Sequence, residues 1–101
     1  MTLEEITLAD FTPRVGESFR VQLDLPQPLH LELRSATASK HPPSPGRRQS
    51  FSLVFRAGLQ WTCQQGIYPL THPALGELGV FLTPIGRDAQ GTELEAVFNF
   101  G

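Results

Sequence analysis

The most regular stretch of the chain begins at Phe19. Phe19, Val21 and Leu23 fall on one side, and Arg20, Gln22 and Asp24 fall on the other. Alternation with period two predicts a strand with one buried face. Pro26 and Pro28 interrupt the run, and Leu29, Leu31 and Leu33 then alternate with His30, Glu32 and Arg34. Two such runs across a short Pro-containing connection predict a β-hairpin whose second strand continues towards Ala38. Residues 39–48, SKHPPSPGRR, have no large apolar side chain to bury and predict a loop. Strand character returns at 49–57 with Phe51, Leu53 and Phe55 on one face. The stretch GLQWTCQQG at 58–66 predicts a second irregular loop between two glycines. Ile67, Tyr68 and Leu70 open a further strand, HPALGEL at 72–78 a tight turn, and Val80, Phe81 and Leu82 another strand. Pro84, Gly86, Asp88 and Gly91 then predict a turn. In the last strand Leu94, Ala96 and Phe98 alternate with Glu93, Glu95 and Val97, and Phe100 keeps the apolar phase.

The N-terminal segment differs. Thr2 with Glu5, and less clearly Thr7 with Asp10, have the spacing of a capping box. Leu3, Ile6 and Phe11 form no clean helical stripe. The prediction is a short helical turn that packs Leu8 and Phe11 over one end of the sheet and stops at Pro13 and Gly16. The fold expected is therefore all-β: one domain over 1–101, a small antiparallel barrel or sandwich of about six strands with a short N-terminal helical turn. Its predicted core is Phe19, Val21, Leu23, Leu31, Leu33, Phe51, Leu53, Phe55, Leu82, Leu94, Ala96 and Phe98.

Composition agrees with this and narrows function. A hydrophobic fraction of 40% with 18% charged residues suits a globular domain. A chain of 101 residues buries roughly two-thirds of the surface it exposes when unfolded, which leaves little for an enclosed ligand cavity. The net charge of −2 gives no basic stripe and argues against a nucleic-acid partner. No stretch approaches the ~18 apolar residues of a membrane helix, so no membrane partner is expected. The opening MTLEEITLADF lacks the basic and apolar regions of a signal peptide. Cytoplasmic residence is the default expectation, with non-Sec release as part of an assembly left open.

The chemistry-bearing residues are scattered. Cys63 is the single cysteine and allows neither an intramolecular disulfide nor a Cys-based zinc site. No cation or helix N-terminus lies near it in sequence to activate the thiol. His30, His41 and His72 form no ligand pair. They read as an outward strand residue, a solvated loop residue and a turn residue. Glu93 and Glu95 share a strand face about 7 Å apart, which fits two solvated carboxylates better than paired acid and base. No Gly-x-Ser-x-Gly elbow or Gly-rich phosphate loop occurs. No enzyme, cofactor or metal is expected.

Two surfaces remain as candidates for a partner. One is the 39–48 loop with Lys40, His41, Arg47 and Arg48, which could meet an anionic surface or be a solvated connection. The other is Trp61, the only tryptophan, with Leu59 in its loop and Tyr68 nearby. An exposed aromatic is a frequent anchor at interfaces, and the alternative is that Trp61 folds back to cap the core.

The strings LEEITLADFTPRVGESFRV, SFSLVFRAG and QGIYPLTHPALGELGVFLTPIGRDAQGTELEAVFNF, in that order, resemble a small bacterial family of about this length classed as a domain of unknown function. The resemblance covers nearly the whole chain and is most specific from Gly66 to Phe98. It implies that HPALGEL and PIG are fold-defining turns. It also implies an accessory or assembly role beside phage-tail-collar-like proteins, in a tail-like or fibre-like structure. It carries over no catalytic residue, and GLQWTCQQ is unlike a fixed motif of the family. The first expectation is thus a non-catalytic structural or protein-interaction module, binding a protein partner or itself through strand edges or loops. The alternative is a small-molecule or carbohydrate-binding module that uses Trp61, Tyr68 and the Gln64–Gln65 pair.

Overall fold

A computed structural model describes residues 4–24, 26–59 and 61–100. The N-terminal segment forms one short helix, α1 (Leu8–Phe11), which tightens into a 3₁₀ turn at Thr12–Arg14. Thr7 and Asp10 start it. The Asp10 carboxylate accepts from the Thr7 backbone N–H at 2.7 Å and from its hydroxyl at 3.1 Å, satisfying a donor the helix cannot. The Thr2 half of the other predicted box lies outside the described residues. Phe11 and Ile6 are buried and Leu8 packs against the same core.

Six strands follow: β1 (Ser18–Val21), β2 (His30–Ala38), β3 (Phe51–Ala57), β4 (Gly66–His72), β5 (Gly76–Asp88) and β6 (Gly91–Phe98). Every pairing is antiparallel, and the order β1-β2-β3-β6-β5-β4 closes on itself as a barrel. Two three-stranded meanders, β1-β2-β3 and β4-β5-β6, meet along two seams. The β3–β6 seam is long, from Phe51↔Phe98 to Ala57↔Thr92. The β1–β4 seam is short: Arg20↔Thr71, Val21↔Leu70, and a bond from the Gln22 N–H to the Pro69 carbonyl at 2.7 Å.

Period two decides what lies inside. On β3, Phe51, Leu53, Phe55 and Ala57 are buried and Ser52, Val54 and Arg56 point outward. An aromatic column runs through the interior. Phe55 meets Phe19 edge-on at 5.4 Å, Phe19 and Phe51 flank Phe11 at 6.4 and 5.9 Å, and Phe51 stacks on Phe98 at 4.9 Å. Such contacts add about 0.5–1.5 kcal/mol each beyond burial.

Four sequence expectations need correction. Leu23 is 50% exposed, because β1 stops at Val21 and the alternation outlasts the hydrogen bonding. Phe98 is only half-buried. The predicted turn at 84–91 is mostly strand: β5 runs on to Asp88, and the register shift between Pro84 and Gly86 leaves Ile85 unpaired as a bulge. Here β4 has already ended, at Gly66 opposite Leu82, so the missing N–H of Pro84 costs no bond to it. Finally, His72 closes β4 as a buried residue, and the turn proper is Pro73–Leu75.

The tightest backbone approach is at the start of β6. Gly91 has φ +135°, and a Cβ there would sit 1.9 Å from the Ala57 carbonyl oxygen. Only glycine can hold the β5–β6 turn this close to β3.

Candidate functional site

The sequence-chosen residues separate to opposite ends of the barrel. Arg47 and Arg48 lie with α1 and the C-terminal segment. Arg47 is exposed. Arg48 is turned inward: its guanidinium donates to the Ile6 carbonyl and stands 4.0 Å over the Phe100 ring. It clamps the two terminal segments together, so the expected solvated cation is a structural one.

The 58–65 loop lies at the other end, and Arg87 holds it. Arg87 donates to the Leu59 carbonyl at 2.6 Å, to the Trp61 carbonyl at 2.7 Å and to the Thr92 hydroxyl. The Trp61 N–H also returns to the Gly58 carbonyl at 3.1 Å. Leu59 is left 54% exposed, while Trp61, Cys63 and Tyr68 are half-buried and pack against the core. The Tyr68 hydroxyl donates to the Gln64 carbonyl. Burial pushes the Cys63 thiol up, against the opposing effects of the Tyr68 hydroxyl and of Arg87. Burial likewise pushes the Tyr68 phenol up, with Cys63 adding to the shift. A thiol raised in this way is a poor nucleophile at neutral pH.

His72 is equally occupied. Its Nδ1 accepts from the Ala74 N–H at 3.0 Å, so Nε2 carries the proton and faces Glu17 Oε1 at 2.7 Å, with the ring 4.6 Å from Phe19. Both nitrogens serve the fold. Glu93 pairs with Arg56 at 3.3 Å, while Glu95 lines a separate groove, so the two carboxylates do not work on one site. Among the described residues no group of three or more His, Cys, Asp or Glu is placed to hold a metal ion. No helix among them is long and apolar enough to cross a membrane.

Two rows of side chains on the outside of the barrel were not anticipated from sequence. One is polar and crosses four strands: Ser18 is opposite Glu32, Glu32 opposite Arg56, and Arg56 opposite Glu93. The Arg56 guanidinium donates to Gln90 at 2.6 Å as well as to Glu93. Its Nε is buried and has no partner among the described residues. Ser18, His30, Glu32, Arg56, Gln90 and Trp61 line a cleft of about 320 Å³.

The other row is apolar. Ile67 on β4 is directly opposite Phe81 on β5, and they are 73% and 54% exposed. Val97 on β6 is 68% exposed as well, but it is opposite Ser52 of β3 and lines the groove beside the 39–44 loop, beyond the point where β5–β6 pairing ends at Thr83 and Glu95. Phe81 is the one phenylalanine of seven outside the core and its rim. Alternation puts Val97 outside, whereas the run Val80, Phe81 and Leu82 gives no such sign, and only strand register sets Phe81 beside Ile67.

The profile of a domain of unknown function, DUF6916, matches residues 6–98. The chain belongs to the DUF6916 family. The match takes in α1 and all six strands, so the barrel of this DUF6916 chain, the Gly91 turn and both outer rows lie within the family segment. No curated protein and no solved structure matches the DUF6916 chain.

Proposed function

We propose that the protein is a non-catalytic assembly module that binds protein through the outer face of β4 and β5, in the first place a second copy of itself. The observation that carries this is the exposed Ile67–Phe81 pair. Fully covering a large apolar side chain is worth about 1.5–3 kcal/mol, so a chain that leaves two of them side by side and mostly in water forgoes a few kcal/mol. Contiguous exposed apolar patches on small domains mark contact surfaces. An apolar patch is also self-complementary, as a two-fold interface requires. Gly79 sits beside Ile67 and leaves a shallow notch there: a Cβ at Gly79 would already be within 3.6 Å of Ile67. With a net charge of only −2, two copies approach with little repulsion.

The expected route through strand edges is replaced, because a closed barrel has few of them. The occupied His72, the raised Cys63 thiol and the Arg56-paired Glu93 support a role without catalysis. The setting we propose is accessory work in a bacterial tail-like or fibre-like assembly made before any release, in the cytoplasm. A structure built of repeated copies needs modules with a committed contact face.

Sedimentation velocity over a concentration series tests the reading. The wild-type protein should show a reversible dimer, and Phe81→Glu should be monomeric throughout while changing unfolding stability by no more than about 0.5 kcal/mol. A wild type that stays monomeric at the highest soluble concentration, or a dimer that survives Phe81→Glu, refutes it.

A further inference from the structure

We infer that the cleft beside Trp61 is a binding site for a neutral polyhydroxylated ligand, a sugar ring, independent of the apolar face on β4 and β5. Three observations carry this. The first is the composition of the cleft. One indole supplies a flat apolar wall, and Ser18, His30, Arg56 and Gln90 supply hydroxyl, imidazole, guanidinium and carboxamide groups around it. Pyranose rings present C–H faces to stacking and equatorial hydroxyls to planar polar side chains, so an aromatic wall with convergent planar groups suits them. The volume of about 320 Å³ is at the small end of ligand sites, the scale of one ring.

The second is charge. Arg56 is flanked across the strands by Glu32 and Glu93, and Glu32 in turn pairs with Arg34 at 3.4 Å. Two carboxylates offset two guanidinium groups. The cleft therefore has no excess charge to select an anion or a cation, and a neutral polar ligand loses least on entering it.

The third is preorganisation at a local cost. The Trp61 main chain is fixed at both its backbone N–H and its carbonyl, by Gly58 and Arg87. Arg56 is kept in position although its Nε is buried without a partner among the described residues, an arrangement that costs stability and calls for an explanation. Rigid groups aimed at one space lose little entropy when a ligand arrives. The Gln64–Gln65 pair and Tyr68, which sequence proximity suggested as co-ligands, do not line this cleft.

Because Trp61 is the only tryptophan, intrinsic fluorescence reports on this site alone. The probes are glucose, galactose, N-acetylglucosamine and the β-1,4-linked dimers of glucose and N-acetylglucosamine, with acetate and inorganic phosphate as anionic controls. At least one sugar should change the emission saturably with a Kd on the order of a millimolar. Gln90→Ala, in an exposed turn where folding is not at stake, should weaken it roughly 5- to 10-fold. Arg56→Gln should weaken it further, with folding checked by circular dichroism. Phe81→Glu should leave it unchanged, which separates this site from the self-association face. No saturable change with any of these sugars, a change that Gln90→Ala does not affect, or tighter binding of acetate or phosphate would overturn the inference.

Discussion

Replacing Gly91 with alanine tests the barrel at its tightest point. The substitution asks an L-residue to adopt φ +135°, a region that costs about 1–3 kcal/mol outside glycine. It also puts a methyl carbon 1.9 Å from the Ala57 carbonyl oxygen, so one strand must yield by more than an ångström. Ala57 is buried and opposite Thr92 in the long β3–β6 seam, where relief means parting paired strands, and overpacking of this kind costs about 1–3 kcal/mol or more. The combined loss is about 2–6 kcal/mol, against a total stability of roughly 5–15 kcal/mol for a chain this long. Urea unfolding followed by far-UV circular dichroism measures it. With a slope near 1.5 kcal/mol per molar, the midpoint should fall by about 1.3–4 M, or the variant should be unfolded without denaturant. Gly66→Ala and Gly86→Ala are the controls. Neither residue has a positive φ, and no heavy atom lies within 4 Å of the added carbon, so both should match the wild type or gain about 0.5 kcal/mol. A Gly91→Ala midpoint within about 0.5 M of these controls would show that the close approach to Ala57 is not a feature of the molecule.

Two further outcomes follow from the Trp61 end. Arg87→Ala removes three charge-assisted bonds, two of them to loop carbonyls. It should cost about 1–3 kcal/mol and red-shift Trp61 emission as the loop releases, and an unchanged spectrum would count against the clamp. Because Cys63 and Tyr68 are both raised by burial, the folded state holds their protons at pH values where the unfolded chain has lost them. Stability is then full below the ordinary thiol range and falls as pH rises above roughly 8.5. Melting temperatures at neutral and alkaline pH should diverge in the wild type and draw closer in a Cys63→Ala, Tyr68→Phe double variant.

Much of the barrel is legible in the sequence because strands buried on one face announce themselves. On β2, β3 and β6 the residues at every second position, such as Leu31, Leu33, Leu53, Phe55, Leu94 and Ala96, are the ones the fold buries. Alternation does not say where pairing ends, which is why Leu23 was misplaced. Composition does not distinguish a turn from a bulge, so Pro84 and Gly86 read as a turn although a missing neighbour strand lets β5 carry them. The outer rows were hidden for a different reason. Ser18, Glu32, Arg56 and Glu93 come from four separate strands, and so long a separation along the chain is resolved only by strand order. The same holds for Arg48 and Arg87, whose partners lie 42 and 26–28 residues away. A basic residue gives no sign in the sequence of which distant carbonyl it will meet.

Closure of the barrel has an evolutionary consequence. With its strands spent on one another, the chain offers a partner chiefly side chains, and recognition falls on a few outward positions such as Ile67, Phe81 and Arg56. Those positions alternate along the strands with the inward ones that keep the barrel folded. Lineages can therefore exchange one binding preference for another by replacing every second residue of β3, β5 or β6, while the residues between them go on specifying the same barrel.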